Sequence, residues 1–267
     1  MKIFFLFSAI LITNSFIPHH EFWLQPDKFI FRRGETINIR LREGNNSEEK
    51  NWGGFKEQLQ NMHFYFGNVR DKDLLKALSD KKGDSIQLAL LDEGTAMICS
   101  NSTNTFIEKQ VEKFNSYLIE NGLTEAIGYR QQNNENNSPG REYFHRSVKT
   151  IFQVGKKTDK TYKQKTDLLI DIIPEDHPYN VINDEKLKVK VLLKGKPLAH
   201  QKVKVLHRLN DKATQIEYTT NEEGDFKFFF TPTGDWMVST VKMIRLTNDP
   251  KAEWQSYWGS LTWGYNQ

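Results

Sequence analysis

Seven histidines give this sequence its best candidates for metal chemistry, because imidazole nitrogen binds borderline divalent cations such as Ni²⁺, with carboxylate oxygen in support. The densest group is His19, His20 and Glu21, in the stretch HHEFWLQP. It offers two imidazoles and one carboxylate within three residues. We therefore take these three residues as candidate metal ligands. The alternative is that the histidines only cap the entry of a first strand.

His177 is the fourth candidate ligand, since it lies in EDHPY between two acids and a proline. The same pattern is typical of a loop, and we favour the loop interpretation. His207 follows Val203 and Val205 with a spacing of two, which predicts a histidine at the edge of a core. We expect His145, which lies near two arginines, to face solvent. The sequence contains neither an HExxH motif nor a Cys–His grid.

Catalytic motifs are also missing from the sequence. It has no G-x-S-x-G elbow and no glycine-rich phosphate loop, and Cys99 lies in no recognisable nucleophile signature. We therefore predict that the protein is not an enzyme and has no catalytic or cofactor-binding residues. A formal net charge of +3 over 267 residues is too small to favour nucleic acid as a partner.

Residues 1–15 have the order of parts expected of a secretory signal peptide. Lys2 precedes ten apolar residues from Ile3 to Ile12, and small residues at 13 and 15 suit cleavage. Ten residues are too few for a helix to cross a hydrocarbon layer of about 30 Å, so we expect no transmembrane segment in the mature chain. Because Cys99 is the only cysteine, no intramolecular disulfide is possible. We expect export to a bacterial periplasm.

Short alternating segments predict a mainly β protein of two β-sandwich domains, the first with an inserted helix. Residues 16–160 form the predicted N-terminal domain, which carries helical periodicity between Asn104 and Gly128. A hairpin is predicted at Asp92–Gly94, and the polar tract 129–143 is expected to be a mobile loop. Residues 161–267 form the predicted C-terminal immunoglobulin-like sandwich, in which strand segments alternate with turn residues.

The C-terminal half resembles the transthyretin-like or carboxypeptidase-regulatory type of sandwich. The resemblance rests on KGKPLAHQKVKV followed by TTNEEGDFKFFFTPTGDW, with Gly195 to Pro197 and Asn221 to Gly224 as turns and Trp236 as a core anchor. Such a module indicates a fold and not a function.

The whole mature chain resembles the family described as the periplasmic component of nickel and cobalt transport systems. The shared features are HEFWLQP, FHRSVKTIFQVG and IIPEDHPYNV, which occur in this order. The resemblance implies an exported metal-handling protein that binds Ni²⁺ or Co²⁺ or assists a membrane metal transporter. Relatives often carry a histidine where this sequence has Lys242, and an ammonium group is a poor ligand.

A second hypothesis requires no metal. Trp254, Trp258 and Trp263, with Tyr257 and Tyr265, are dense enough for a glycan- or protein-binding face of a cell-envelope module. The alternative for these rings is packing inside the last strand of the sandwich, because Tyr257, Leu261 and Trp263 share one face of a strand.

Overall fold

The computed structural model describes residues 21–44, 49–67, 69–78, 85–181, 186–210 and 212–265. The predicted signal peptide, His19 and His20 lie outside these residues. The N-terminal strands are β1 (Glu21–Pro26), β2 (Ile30–Phe31), β3 (Thr36–Gly44), β4 (Glu49–Asn51), β5 (Leu59–Phe66), β6 (Val69–Asp73), β7 (Ser85–Ala89), β8 (Gly94–Ser102) and β9 (Thr105–Lys109).

Two helices and a long strand follow: α1 (Val111–Glu120), α2 (Thr124–Gln132) and β10 (Gly140–Val154). The remaining strands are β11 (Ile170–Pro174), β12 (Lys186–Leu193), β13 (Lys196–Pro197), β14 (Lys202–Leu209), β15 (Lys212–Thr219), β16 (Asp225–Phe229), β17 (Asp235–Arg245) and β18 (Trp254–Gly264). Short 3-10 helices occur at Lys56–Gln58, Leu75–Ala77, Thr161–Lys163 and Pro178–Asn180.

The described strands form three sheets. The central sheet has ten strands in the order β15-β14-β17-β18-β10-β8-β5-β6, with β2 and β9 also paired to β10. The first outer sheet contains β1, β3, β4 and β7, and the second outer sheet contains β11, β12, β13 and β16. Strands make up 54% of the structure and helices 14%, which confirms the predicted mainly β, sandwich-type class.

The central sheet is covered on both faces. Because side chains alternate along a strand, Val148 and Phe152 of β10 enter the core beneath the first outer sheet. Ile151, which points the other way, enters the core beneath the second outer sheet. The helices cover a further part of the first face, where Phe114 and Leu118 lie in one cluster with Trp258.

Strands from both sides of residue 160 build the central sheet. β10 pairs in parallel with β18 from Glu142↔Trp254 to Thr150↔Thr262, and β18 pairs antiparallel with β17. The sheet is therefore continuous across residue 160, with β10 and β18 as the strands that join its two parts. The division of the chain into two domains near residue 160 stays a prediction.

The inserted helix is confirmed and is followed by a second helix, whereas the expected mobile loop at 129–143 is wrong. This tract forms the end of α2, a turn and the start of β10. The Arg130 side chain explains the difference, since it is buried and its Nη2 donates to the carbonyls of Glu135 and Ser138. Its guanidinium also lies 4.9 Å from the ring centre of Phe114.

The hairpin predicted at 92–94 is also wrong. β7 pairs with β3 in the first outer sheet, while β8 pairs with β5 and β10 in the central sheet. The turn therefore carries the chain from one layer to the next. The turn at Asn221–Gly224 does the same between β15 and β16, and Gly224 has a φ of +75°.

Gly259 of β18 permits the close approach of the second outer sheet, since a Cβ atom there would lie 2.2 Å from Cγ2 of Ile170. We expect Gly259→Ala to lower the free energy of unfolding by about 1–3 kcal/mol, as overpacking of a core does. Gly128→Ala in α2 is the control. A Cβ there meets no atom within 4 Å, and the change should stabilise by about 1 kcal/mol. Urea unfolding of both variants checks this, and equal effects would contradict it.

Candidate functional site

Glu21 is the candidate ligand that the structure places at the start of β1, where it pairs with Gly44 of β3. Its carboxylate Oε1 lies 3.6 Å from Nζ of Lys204, and the Glu21 side chain is 16% exposed. Lys204 Nζ also donates to Oδ1 of Asn121 at 3.0 Å. Glu21 is thus accessible, and its nearest charged partner is an ammonium group with which a metal ion would compete.

β1 is held along both of its edges. One edge pairs with β3 over six residues. On the other edge, the hydroxyl of Ser260 donates to the carbonyl of Phe22 at 2.6 Å, and the hydroxyl of Thr262 donates to that of Leu24 at 2.7 Å. The dipeptide His19-His20 therefore directly precedes a strand that is anchored to the central sheet.

A cavity lies between β1 and the strands β14 and β17. Its volume is about 20 Å³, room for roughly one water molecule or one cation. Trp23, Leu206 and Met237 form its apolar part, and Glu21 and Asp235 contribute carboxylates to its lining. Arg208 also lines it, so the site combines apolar side chains with two carboxylates and one guanidinium.

Asp235 is the residue of this cavity that the sequence analysis missed. Burial raises its pKa to about 6, although the positive charge of Arg208 acts in the opposite direction. Its Oδ2 accepts a long hydrogen bond of 3.4 Å from Nε2 of Gln25. A carboxyl group with so little compensation is suited to a proton or a cation.

His177 caps the 3-10 helix Pro178–Asn180. Its Nδ1 accepts the backbone N–H of Tyr179 at 3.2 Å, so we assign the proton to Nε2, which lies 2.8 Å from the hydroxyl of Thr95. Both ring nitrogens are thus engaged. Burial lowers the His177 pKa, and Asp159 opposes this shift. The structure supports the loop interpretation.

His145 contradicts the expectation of a solvent-facing side chain. It lies on β10, is only 4% exposed, and has no hydrogen-bond partner for either ring nitrogen among the described residues. Its neighbours are Tyr257, whose ring centre is 6.5 Å away, and Lys194. Burial, assisted by the charge of Lys194, lowers the His145 pKa to about 4.

The other described histidines lie apart from these residues. His207 stacks on Trp236 with ring centres 4.0 Å apart, which supports the core-edge interpretation. His200 lies 2.9 Å from a carboxylate oxygen of Glu222, and His63 lies 3.8 Å from that of Asp167. Within the described ranges, no group of three or more His, Cys, Asp or Glu side chains is arranged to hold a metal ion.

The C-terminal aromatic residues do not form a binding face. All eleven residues of β18 are buried, including Trp254, Trp258 and Trp263. Trp258 packs against the helices, whereas Trp263 lies in the core beneath the second outer sheet. The packing alternative is therefore confirmed, and a glycan surface made of these rings is wrong.

Lys242 is used in an ion pair. Its Nζ lies 2.7 Å from Oε2 of Glu125 in α2.

Neither described helix is long and apolar enough to span a bilayer.

Comparison with protein families matches residues 20–243 to the family "Domain of unknown function (DUF4198)". The chain belongs to this family. No curated protein matches it. Among solved structures, latent PorU from Porphyromonas gingivalis has a TM-score of 0.21 at 9% identity, with 91% of this chain and 20% of that chain covered. Alpha-2-macroglobulin from Escherichia coli has a TM-score of 0.21 at 10% identity, with 92% and 20% covered.

The outer capsid protein Hoc of bacteriophage RB49 has a TM-score of 0.19 at 9% identity, with 91% of this chain and 59% of that chain covered. The DUF4198 chain thus spans about a fifth of the length of the first two structures. TM-scores this low support no argument about its function.

Acid sensitivity of this DUF4198 protein should come in part from His145. Since the folded state keeps the imidazole neutral down to about pH 4, stability is complete above the unfolded pKa of 6.5 and is lost as the pH falls from 6.5 to 4. This loss should reach about 3 kcal/mol. Urea unfolding at pH 7 and pH 4.5 should show a smaller difference for His145→Phe than for the wild type. A variant of the exposed His200, such as His200→Asn, serves as control, and an unchanged difference in His145→Phe would contradict the assignment.

Asp235 should have the opposite effect on the pH dependence. A folded pKa near 6 against 3.8 means that stability is complete below pH 3.8 and falls as the pH rises through 6. Asp235→Asn should therefore raise the free energy of unfolding at pH 7.5 by about 1–2 kcal/mol, after allowance for partial exposure, and have little effect at pH 3.5.

The control for this prediction is Asp249→Asn, since backbone N–H groups of Ala252 and Lys251 lower the Asp249 pKa and give the reverse dependence. Thermal or urea unfolding across this pH range measures both variants. A gain for Asp235→Asn that is the same at pH 3.5 and pH 7.5 would show that the carboxyl does not titrate as described.

Proposed function

We propose that this DUF4198 protein is an exported, non-enzymatic metal-handling protein that binds Ni²⁺ or Co²⁺ as a transported ion in the bacterial periplasm. The proposed ligands are the imidazoles of His19 and His20 and the carboxylate of Glu21. The metal would be passed to a membrane transporter. The observation that carries the proposal is that Glu21, which follows His19-His20 in the sequence and begins the anchored strand β1, lines a cavity together with a second carboxylate, that of Asp235.

The donor set suits a borderline cation. Imidazole nitrogen is a good ligand of Ni²⁺, and Glu21 adds an oxygen ligand and a negative charge. The Glu21 carboxylate is held by Lys204 at 3.6 Å, a distance longer than a normal hydrogen bond, so this pair is the contact that a metal would replace. His177 is not included, since both of its ring nitrogens already have partners.

Calorimetric titration with Ni²⁺, Co²⁺, Cu²⁺ and Zn²⁺ tests the proposal, after intact-mass measurement has fixed the mature N-terminus. We expect Ni²⁺ or Co²⁺ to bind, and we expect His19→Ala/His20→Ala to weaken binding at least about tenfold. Glu21→Gln should weaken it less. Lys204→Met should strengthen it, because a competing positive charge is removed from the carboxylate.

The matched control is His200→Ala, which removes an exposed imidazole that is also ion-paired but belongs to the turn before β14. It should leave the affinity unchanged. Absence of heat with every metal would overturn the proposal, as would an affinity that the double histidine variant does not alter.

A further inference from the structure

The core beneath the second outer sheet contains a lysine and an aspartate in direct contact. Lys149 lies on β10 and Asp171 on β11, and Nζ of Lys149 contacts Oδ1 of Asp171. The Lys149 side chain is 0% exposed and that of Asp171 is 6% exposed. Removing both charges from water is costly, and their attraction offsets that cost only with good geometry and full hydrogen bonding. The pair therefore requires an explanation beyond ordinary stability.

We propose that Lys149 and Asp171 form an intramolecular isopeptide bond, an amide between Nζ and Cγ. The nearby hydrogen bonds match the needs of such an amide. The Oγ1 of Thr166 donates to Oδ2 of Asp171 at 2.7 Å, and Nζ of Lys149 donates to the carbonyl of Ile172 at 3.2 Å. A secondary amide has one acceptor oxygen and one N–H donor, and both partners are already in position. An ammonium has three N–H donors and finds two acceptors among these described contacts.

The reaction needs no reagent from outside the pair. One proton passes from the Lys149 ammonium to Oδ1 of Asp171, which gives an amine and a carboxylic acid. The amine nitrogen then attacks Cγ, so the C–N bond forms while Oδ2, held by Thr166, takes the negative charge. A second proton passes from the nitrogen to Oδ1, the C–Oδ1 bond breaks, and one water molecule leaves. The nitrogen keeps the single hydrogen of the amide.

Two physical effects favour this condensation inside the core. Holding the two groups in contact gives an effective concentration on the order of 10⁵–10⁸ M for well-oriented reactants. In water, hydration stabilises the separate ions. In the protein interior this hydration is lost, and condensation replaces two buried charges by one neutral amide. Two apolar core residues adjoin the pair, since Lys149 is the register partner of Leu261 and shares its strand face with Ile151.

The bond would link two layers of a protein that has no disulfide. It would join the central sheet to the second outer sheet, through β10 and β11, which lie on either side of residue 160. Since Cys99 is the only cysteine, no intramolecular disulfide exists to make such a connection.

Tryptic peptide mapping of the purified, folded wild-type chain tests the proposal. Cleavage should fail after Lys149, and residues 147–156 should be recovered joined to residues 166–186, at a mass one water below the sum of the two. Fragmentation should place the link at Lys149 and Asp171. Recovery of both peptides unlinked, with cleavage after Lys149, would overturn the proposal.

An internal control is present in the same digest. Nζ of Lys188 lies 2.7 Å from Oδ2 of Asp225, but these side chains are 33% and 11% exposed. This hydrated pair should stay unlinked, and a link there as well would point to nonspecific condensation and overturn the argument from burial.

Variants separate the reaction from folding. Lys149→Arg and Asp171→Ala should give no linked peptide. Thr166→Val removes the hydroxyl that contacts Oδ2, and it should slow the accumulation of linked peptide after refolding severalfold while far-ultraviolet circular dichroism shows the same strand content. Formation at the wild-type rate in Thr166→Val would overturn the assigned part of Thr166.

Discussion

The parallel pairing of β10 with β18 is the constraint on which the rest of the structure depends. β18, the last described strand, must insert between β10 and β17, so the central sheet is complete only when strands from both sides of residue 160 are in place. Parallel strands are stable mainly where both faces are covered. The first outer sheet and the helices cover one face of the central sheet. The second outer sheet covers the other.

The same constraint explains which strands were predictable from sequence. β12 lies in an outer sheet, so Leu187, Val189 and Val191 are buried while the lysines between them are more exposed, and its alternation was read correctly. β18 is buried on both faces and carries aromatic residues on both, so its sequence left two interpretations open, an exposed binding face and packing inside the sandwich. Apolar and polar residues alternate along a strand when one of its faces is covered, and this alternation is absent when both faces are covered.

The positions of turns were predictable from the sequence, but the pairing of the strands on either side of them was not. Glycines at 94 and 224 mark turns because the backbone there has positive φ, at 155° and 75°. Whether a turn closes a hairpin or carries the chain to another layer depends on contacts distant in sequence. The prediction of a mobile loop at 129–143 was wrong for a related reason. Composition alone does not show that the Arg130 side chain is buried and donates hydrogen bonds to backbone carbonyls. A buried guanidinium can order a polar segment through hydrogen bonds, as a buried apolar side chain orders an apolar segment through packing.

The candidate site was only partly visible in the sequence, because its unusual groups owe their character to burial. His145 within β10 and Asp235 at the start of β17 are ordinary residues until the second outer sheet and β1 cover them, and their pKa values then move in opposite directions. The polar groups on the inner face of β10 form a series of this kind: His145 has no hydrogen-bond partner among the described residues, Ser147 is bonded to Asn101, and Lys149 contacts Asp171. A core that only needed stability would place apolar residues at all three positions, since unpaired or charged groups there are costly. Burial of these three groups between β10 and the second outer sheet therefore has a cost in stability that apolar residues would not have.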